Sequence, residues 1–431
     1  MLFRGACYLI LLLGVLSSGG NRARGQVVDP APTGPDQPDF EAQEMQPTRR
    51  KSDSEPYAPL ALRAGVFDFH PAIEMEAVYS DNPGQISSGA RPAAGIRLAP
   101  ELALKSDWVR HAFRLKASGE RIDYADQPEQ ATMEGEVESS LIVDIRRNTT
   151  AEVTLAAAQS QTNSGSSEVP DNAAAKRNDY EFMLATAVSR DAGRLAGTIR
   201  TELSRFLYGD VELVDGSTED NGDRNYREAS AAVRMMPGGA ALRPFVEVEI
   251  SPRLHDAKTD RNGFRRDSFG VTLKAGGEIN AGDVWSGAAG LQYDFRNYQD
   301  DALEDFSGAG AFAALAWRPS RVTTMSLLAV SSFDESANDG VSGNHTQNAE
   351  ITIAHELREN LMLELSGGAE YSAALGSDAR SVTLDAGAEL SYALNRVLSL
   401  TASYKHTRYM SFSDNSDYEE TEVGGGIKIS R

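Results

Sequence analysis

His70, Glu74 and Glu76 are residue types that bind metals or carry protons. They take even positions in GVFDFHPAIEMEAVYSDN (65–82), while Phe67, Phe69, Ile73, Met75, Ala77 and Tyr79 take the odd ones. Period-2 alternation describes a strand with two unlike faces, so the three polar residues share one face. Strand residues i and i+4 stand about 13 Å apart, too far to hold one ion without neighbouring strands. Hydrolysis by a serine nucleophile would need a histidine base and an orienting acid. Six histidines are available: His70, His111, His255, His345, His355 and His406. None lies in a G-x-S-x-G elbow or a tight His-x-Ser pair, although His255 and His345 fall in expected outer loops. The glycines of TLKAGGE (272–278) and of 424–426 lack P-loop or dinucleotide spacing and suit close strand packing. No catalytic, cofactor or metal residue is therefore assigned, and no enzyme is expected.

What could position such residues is a set of long strands. Leu141, Val143 and Ile145 alternate with Ser140, Asp144 and Arg146, and Val246, Val248 and Ile250 with Glu247, Glu249 and Ser251. Leu361, Leu363 and Leu365 begin another run, and Val382, Leu384 and Ala386 a further one. Short turns are expected at 105–109, 146–149, 190–194, 236–240, 280–284, 318–321, 357–360 and 394–397. Longer polar loops are expected at 159–176, 209–224 and 333–347. A cycle of about 40 residues for every two strands gives about 18 strands, an even number. Strands this long can cross a bilayer at a tilt, and closure leaves no unpaired edge in lipid. A soluble sandwich has shorter strands and no two-sided loop asymmetry. The fold expected is all-β, a transmembrane antiparallel up-and-down barrel with short periplasmic turns and longer extracellular loops. Trp108, Trp285 and Trp317 lie beside short turns. Tyr79, Tyr124, Tyr208, Tyr226, Tyr298, Tyr371 and Tyr409 lie near the opposite strand ends, as two interfacial belts would.

The 431 residues carry a net charge of -21, which argues against a nucleic-acid partner. Residues 1–25 read as a signal peptide: Arg4 is basic, Ala6 to Leu16 is apolar but short, and Ala23-Arg24-Gly25 offers a cleavage site. The one cysteine, Cys7, lies inside that segment, so the mature chain would form no disulfide. Residues 26–58 are rich in proline and acids and read as a disordered periplasmic segment. Residues 59–431 form the expected barrel, placed in the outer membrane.

PYAPLALRAGVFDFHPAIEMEAVYSDNPG (56–84) resembles the opening of the putative beta-barrel porin family, type 2, of Gram-negative bacteria. The matching features are Gly65-Val66-Phe67, Pro71 and Tyr79-Ser80-Asp81-Asn82. The resemblance implies a channel. It also makes polysaccharide secretion one candidate role, with a periplasmic export partner. The ending GGGIKISR departs from the terminal aromatic residue usual in such barrels.

On the barrel reading the polar strand faces line water, because charges facing lipid at mid-membrane cost about 2–4 kcal/mol for Arg or Lys. The lumen-lining residues expected are Glu74, Glu76, Glu134, Glu136, Glu138, Arg200, Glu202, Glu247, Glu249, Lys274, Glu364, Asp385 and Glu389. This predominantly acidic face would concentrate cations and disfavour anions, suiting cations or neutral sugars. The expected function is passage of hydrophilic solutes or of a polysaccharide chain, with outer-membrane lipid as the surroundings. The rival readings are a plugged structural or adhesive barrel and, further off, an outer-membrane hydrolase.

Overall fold

The computed structural model describes residues 57–162, 173–239, 241–334, 336, 340–413 and 416–431. The expected signal peptide and most of the proline-rich segment lie outside the described residues. Numbering only the strands that close the barrel, the first half comprises β1 (Phe67–Ser80), β2 (Ala93–Ser106), β3 (His111–Tyr124), β4 (Thr132–Arg146), β5 (Thr149–Thr162), β6 (Arg177–Asp191), β7 (Leu195–Tyr208), β8 (Tyr226–Pro237) and β9 (Leu242–His255). The second half comprises β10 (Ser268–Ala281), β11 (Trp285–Tyr298), β12 (Phe306–Ser320), β13 (Thr323–Asp334), β14 (Gly343–Arg358), β15 (Leu361–Leu375), β16 (Arg380–Ala393), β17 (Leu398–Ser411) and β18 (Tyr418–Ser430).

Every strand pairs antiparallel with its neighbour in sequence, and β18 returns to β1 to close an 18-strand barrel. A strand of 14 residues is about 46 Å long. Tilted by about 45° it still spans about 30 Å of hydrocarbon.

The two faces are reversed relative to a soluble sheet. Along β1, Met75 is 49% exposed and Glu76 beside it only 4%. The same phase holds around the ring: Leu98, Leu155, Leu184, Leu203, Val246, Leu273, Leu291, Leu365 and Val423 face out and are exposed. Residues of the opposite parity, among them Ser118, Thr154, Arg200, Glu247 and Thr401, are buried. In water this outer surface would be a large aggregation-prone patch, whereas in lipid it is the solvated face.

All eight expected short turns join barrel strands, through two to four residues each. The connections at the other end run from four residues (376–379) to seventeen (209–225), so the asymmetry holds with one short exception. The expected loop 333–347 is partly strand, because β14 begins at Gly343. His255 and His345 accordingly lie on strands rather than in loops.

The tyrosine belt needs a larger correction. Tyr79 and Tyr371 are exposed on the lipid face, but Tyr124, Tyr226 and Tyr298 are buried inside. Tyr208 pairs in register with the inward Asp179, and Tyr409 with Thr383, so both also face in. These rings support the outer end of the barrel from within. Tyr226 stacks on Phe206 at 4.5 Å and carries the guanidinium of Arg253 at 4.5 Å. Trp285 and Trp317 stack at 5.4 Å across β11 and β12 beside the short turns.

At the closing seam Ala72–Ser80 pairs with Glu422–Ser430, leaving Phe67–Phe69 of β1 beyond the reach of β18. A short lead-in strand, Leu62–Ala64, folds back and pairs with those three residues. The glycines of β18 make close approach feasible here. A Cβ on Gly426 would lie 2.1 Å from the Met75 carbonyl oxygen, and one on Gly424 would lie 2.3 Å from Ser403 Oγ.

Candidate functional site

Register fixes which side chains share the interior. From Glu76 the ladder passes to Arg97, thence to Ile122 and Thr132, and on the other side of β1 Glu76 pairs with Gly426 across the seam. All thirteen residues assigned from sequence fall on this inward phase. Glu134, Glu136 and Glu138 stand opposite Glu120, Ser118 and Lys116, and Ser118 Oγ donates to Glu136 at 3.0 Å. Glu364 stands opposite Glu389. Asp385 accepts from Thr407 at 2.6 Å, while its Oδ2 is buried with no hydrogen-bond partner among the described residues.

The inward charges divide into two walls. Along β14 to β18 and β1 the inward positions include Glu350, Glu364, Glu370, Asp385, Glu389, Glu420, Glu422, Glu74 and Glu76, against Lys405 and Lys428. Across β7 to β11 the inward set is balanced, six to six. Arg200, Arg234, Arg243, Arg253, Lys274 and Arg296 accompany Glu202, Glu228, Glu247, Glu249, Glu278 and Asp294. Since β1 and β10 are nine strands apart in a ring of eighteen, the two walls face each other. The acidic excess expected for the whole interior is thus absent from β7 to β11.

On the balanced wall the charges are packed into one another. Glu247 accepts from Arg234 Nε at 2.7 Å and Arg200 Nη2 at 3.2 Å, with Lys274 Nζ at 3.5 Å. Its side chain is 1% exposed. Glu228 receives Arg253 Nε at 2.7 Å and Arg296 Nη2 at 3.3 Å. Glu202 accepts from Ser204 at 3.0 Å, and Glu249 lies 3.7 Å from Lys274. Burying these charges is tolerable only because each meets an opposite charge or a donor.

The seam wall is looser. Glu76 accepts from Arg97 Nη1 at 2.7 Å and from Thr401 and Ser403, and Arg97 also pairs with Glu120 and Glu422. Lys428 bridges Glu101 at 3.2 Å and Glu74 at 3.8 Å. Glu389 points inward and is nevertheless exposed to solvent, so the interior is hollow at that level.

Sequence reading missed Glu422 and Lys428 on one wall with Arg97 and Glu101 on the adjoining β2, and Glu228, Arg234, Arg243, Arg253 and Arg296 on the other wall. Alternation could have found most of them, as Arg97 sits between Ile96 and Leu98, both exposed on the lipid face.

Residues 55–431 match the family described as Putative beta-barrel porin 2. The chain belongs to that family. It is an outer-membrane β-barrel of a porin-like kind. Solved structures with a similar barrel include the siderophore receptor PirA from Acinetobacter baumannii. It is 7% identical, with 84% of this chain and 80% of that one covered, at a TM-score of 0.42. The outer membrane protein opdK from Pseudomonas aeruginosa is 11% identical over 84% and 99%, at 0.40. A mutant of the ferric enterobactin receptor PfeA from Pseudomonas aeruginosa is 8% identical over 87% and 81%, also at 0.40. No curated protein matches the chain.

Proposed function

We propose that the protein is an outer-membrane channel for small hydrophilic solutes, passing cations more readily than anions. The observation that carries this reading is the hollow, acid-rich wall on which Glu389 is accessible from inside. Carboxylates around confined water raise the local cation concentration, and the opposite wall cannot cancel them because its own charges are mutually paired. Solutes would move down their gradients, with no covalent chemistry.

Planar-bilayer recording of the purified, folded protein tests this. Stepwise conductance with a reversal potential favouring potassium over chloride is expected. Absence of current would turn the reading toward a plugged structural or adhesive barrel. The same proposal takes residues 1–25 as a cleaved export leader and 26–58 as a periplasmic lead-in, which N-terminal sequencing of the mature protein checks. Secretion of a polysaccharide, handed over by a periplasmic partner, is a narrower reading of the same channel, which the family description does not specify. The acidic wall would admit a neutral polymer more readily than an acidic one.

A further inference from the structure

A recess of about 160 Å³ lies against the balanced wall, lined by residues of β7 to β13. Its polar edge is formed by the charged groups that remain partly accessible: Lys274, Glu249 and Glu228, whose side chains are 14%, 18% and 19% exposed. Its floor is apolar. Phe312, half-buried, leans on the buried ring of Phe245 at 5.9 Å, and Ala314 and Leu328 complete the surface.

Three features of this recess narrow what it could hold. Five cations line the recess, Arg200, Arg234, Arg253, Lys274 and Arg296, against Glu228, Glu249 and Asp294, with Glu247 packed behind three of the cations. Its accessible edge carries both signs, Lys274 beside Glu249 and Glu228, so a solute of either net charge meets a like charge there. Lys274 Nζ and Glu249 Oε2 are 3.7 Å apart, beyond a direct hydrogen bond. A hydroxyl placed between them can accept from the ammonium and donate to the carboxylate at once, since hydroxyls do both. The same recess is also lined by Phe312, whose aromatic face suits the C–H side of a ring.

We propose that this recess binds a neutral polyhydroxylated solute, a sugar or one sugar unit of a chain, with Lys274 and Glu249 reading its hydroxyls and Phe312 its apolar face. The inference rests on the channel reading and assigns it a solute class.

The test is bilayer recording with glucose or maltose added to one side, against equal betaine, which is neutral overall but has no hydroxyl. The sugars are expected to interrupt the current in a saturable manner, and betaine to leave it open. Phe312→Ala and Lys274→Met should each raise the half-blocking sugar concentration about tenfold, the loss expected for one good stacking or hydrogen-bonding contact. Leu291→Ala, on the lipid face of β11, should leave it unchanged. Each variant's conductance without sugar reports that its barrel has formed.

A conducting channel that sugars do not block, or that benzoate or lysine blocks at lower concentration, overturns the sugar site and leaves the channel reading standing. No conductance at all removes the channel reading. Calorimetric titration of maltose into the detergent-folded barrel then decides the recess separately, and absence of binding overturns it.

Discussion

The two opposed walls use similar residues to different ends. Across β7 to β11 the charges are consumed in contacts with one another: Glu247 is ringed by three cations and Arg253 is 1% exposed. Along β14 to β1 carboxylates outnumber cations, and some, like Glu389, remain in contact with water. A saturated carboxylate holds strands in place but exerts little field outward. An accessible, under-compensated one stabilises little nearby yet projects its field into the interior. Counting charges along a sequence treats the two alike.

The largest effect should come from breaking the packed wall. Glu247→Ala leaves three cations around an empty position and is expected to cost about 3–5 kcal/mol, read by urea unfolding in lipid or detergent. An equal loss from Glu389→Gln would erase the distinction between the walls, since that change should stay within about 0.5 kcal/mol.

Next in size is the seam. Gly426→Ala places a methyl against the Met75 carbonyl and should cost about 1–3 kcal/mol. Gly367→Ala, where the nearest atom to a Cβ is 3.7 Å away, should cost much less. The ratio of their unfolding midpoints shows whether close approach is a property of the seam.

A third change sharpens the electrostatic side. Replacing Glu74, Glu364 and Glu389 by glutamine should lower the potassium-over-chloride preference several-fold while leaving stability nearly intact. Neutralising Glu202 and Glu249 should shift the reversal potential less, because their wall is already balanced.

The smallest effect concerns the outer loops, away from either wall. Arg261 in loop 256–267 donates to Asp223 and Glu219 of loop 209–225 and to the Asp220 carbonyl. Partial burial by itself would raise the Asp223 pKa, but hydrogen bonds from Arg261 outweigh it and hold the carboxyl below its ordinary value. A lowered folded-state pKa means the clamp is fully present above the ordinary carboxylate range and is lost as pH falls through the lowered value. Proteolytic nicking of loop 209–225 by an acid-active protease should therefore rise toward the acid end of a pH series. Arg261→Ala should give the high rate throughout.

Much of the barrel was legible because period-2 alternation is written directly in the chain, as in Ile73, Met75 and Tyr79 against Glu74 and Glu76. The short turns were equally visible. Pairing was not legible: Arg200 and Glu247 are 47 residues apart, and only the ladder brings them to 3.2 Å. The tyrosines show a different limit. Tyr124 lies in phase with the inward Glu120, so parity places it inside, whereas nearness to a loop places it in an outer belt. At strand ends, where loops pack back into the mouth, proximity to the membrane surface is the weaker guide.

The lead-in strand Leu62–Ala64 also bears on how the ring comes to shut. A strand entering last against β1 can slide along it in two-residue steps, since each step keeps inward faces inward. Sliding toward the periplasm by one such step would bring Arg431 opposite Phe69, the place already taken by Leu62. The lead-in hairpin acts as an end-stop. By blocking that neighbouring register it sets the stagger of the whole cylinder, and with stagger its tilt and bore. A handful of residues at the short-turn end thus bears on the width of the whole ring.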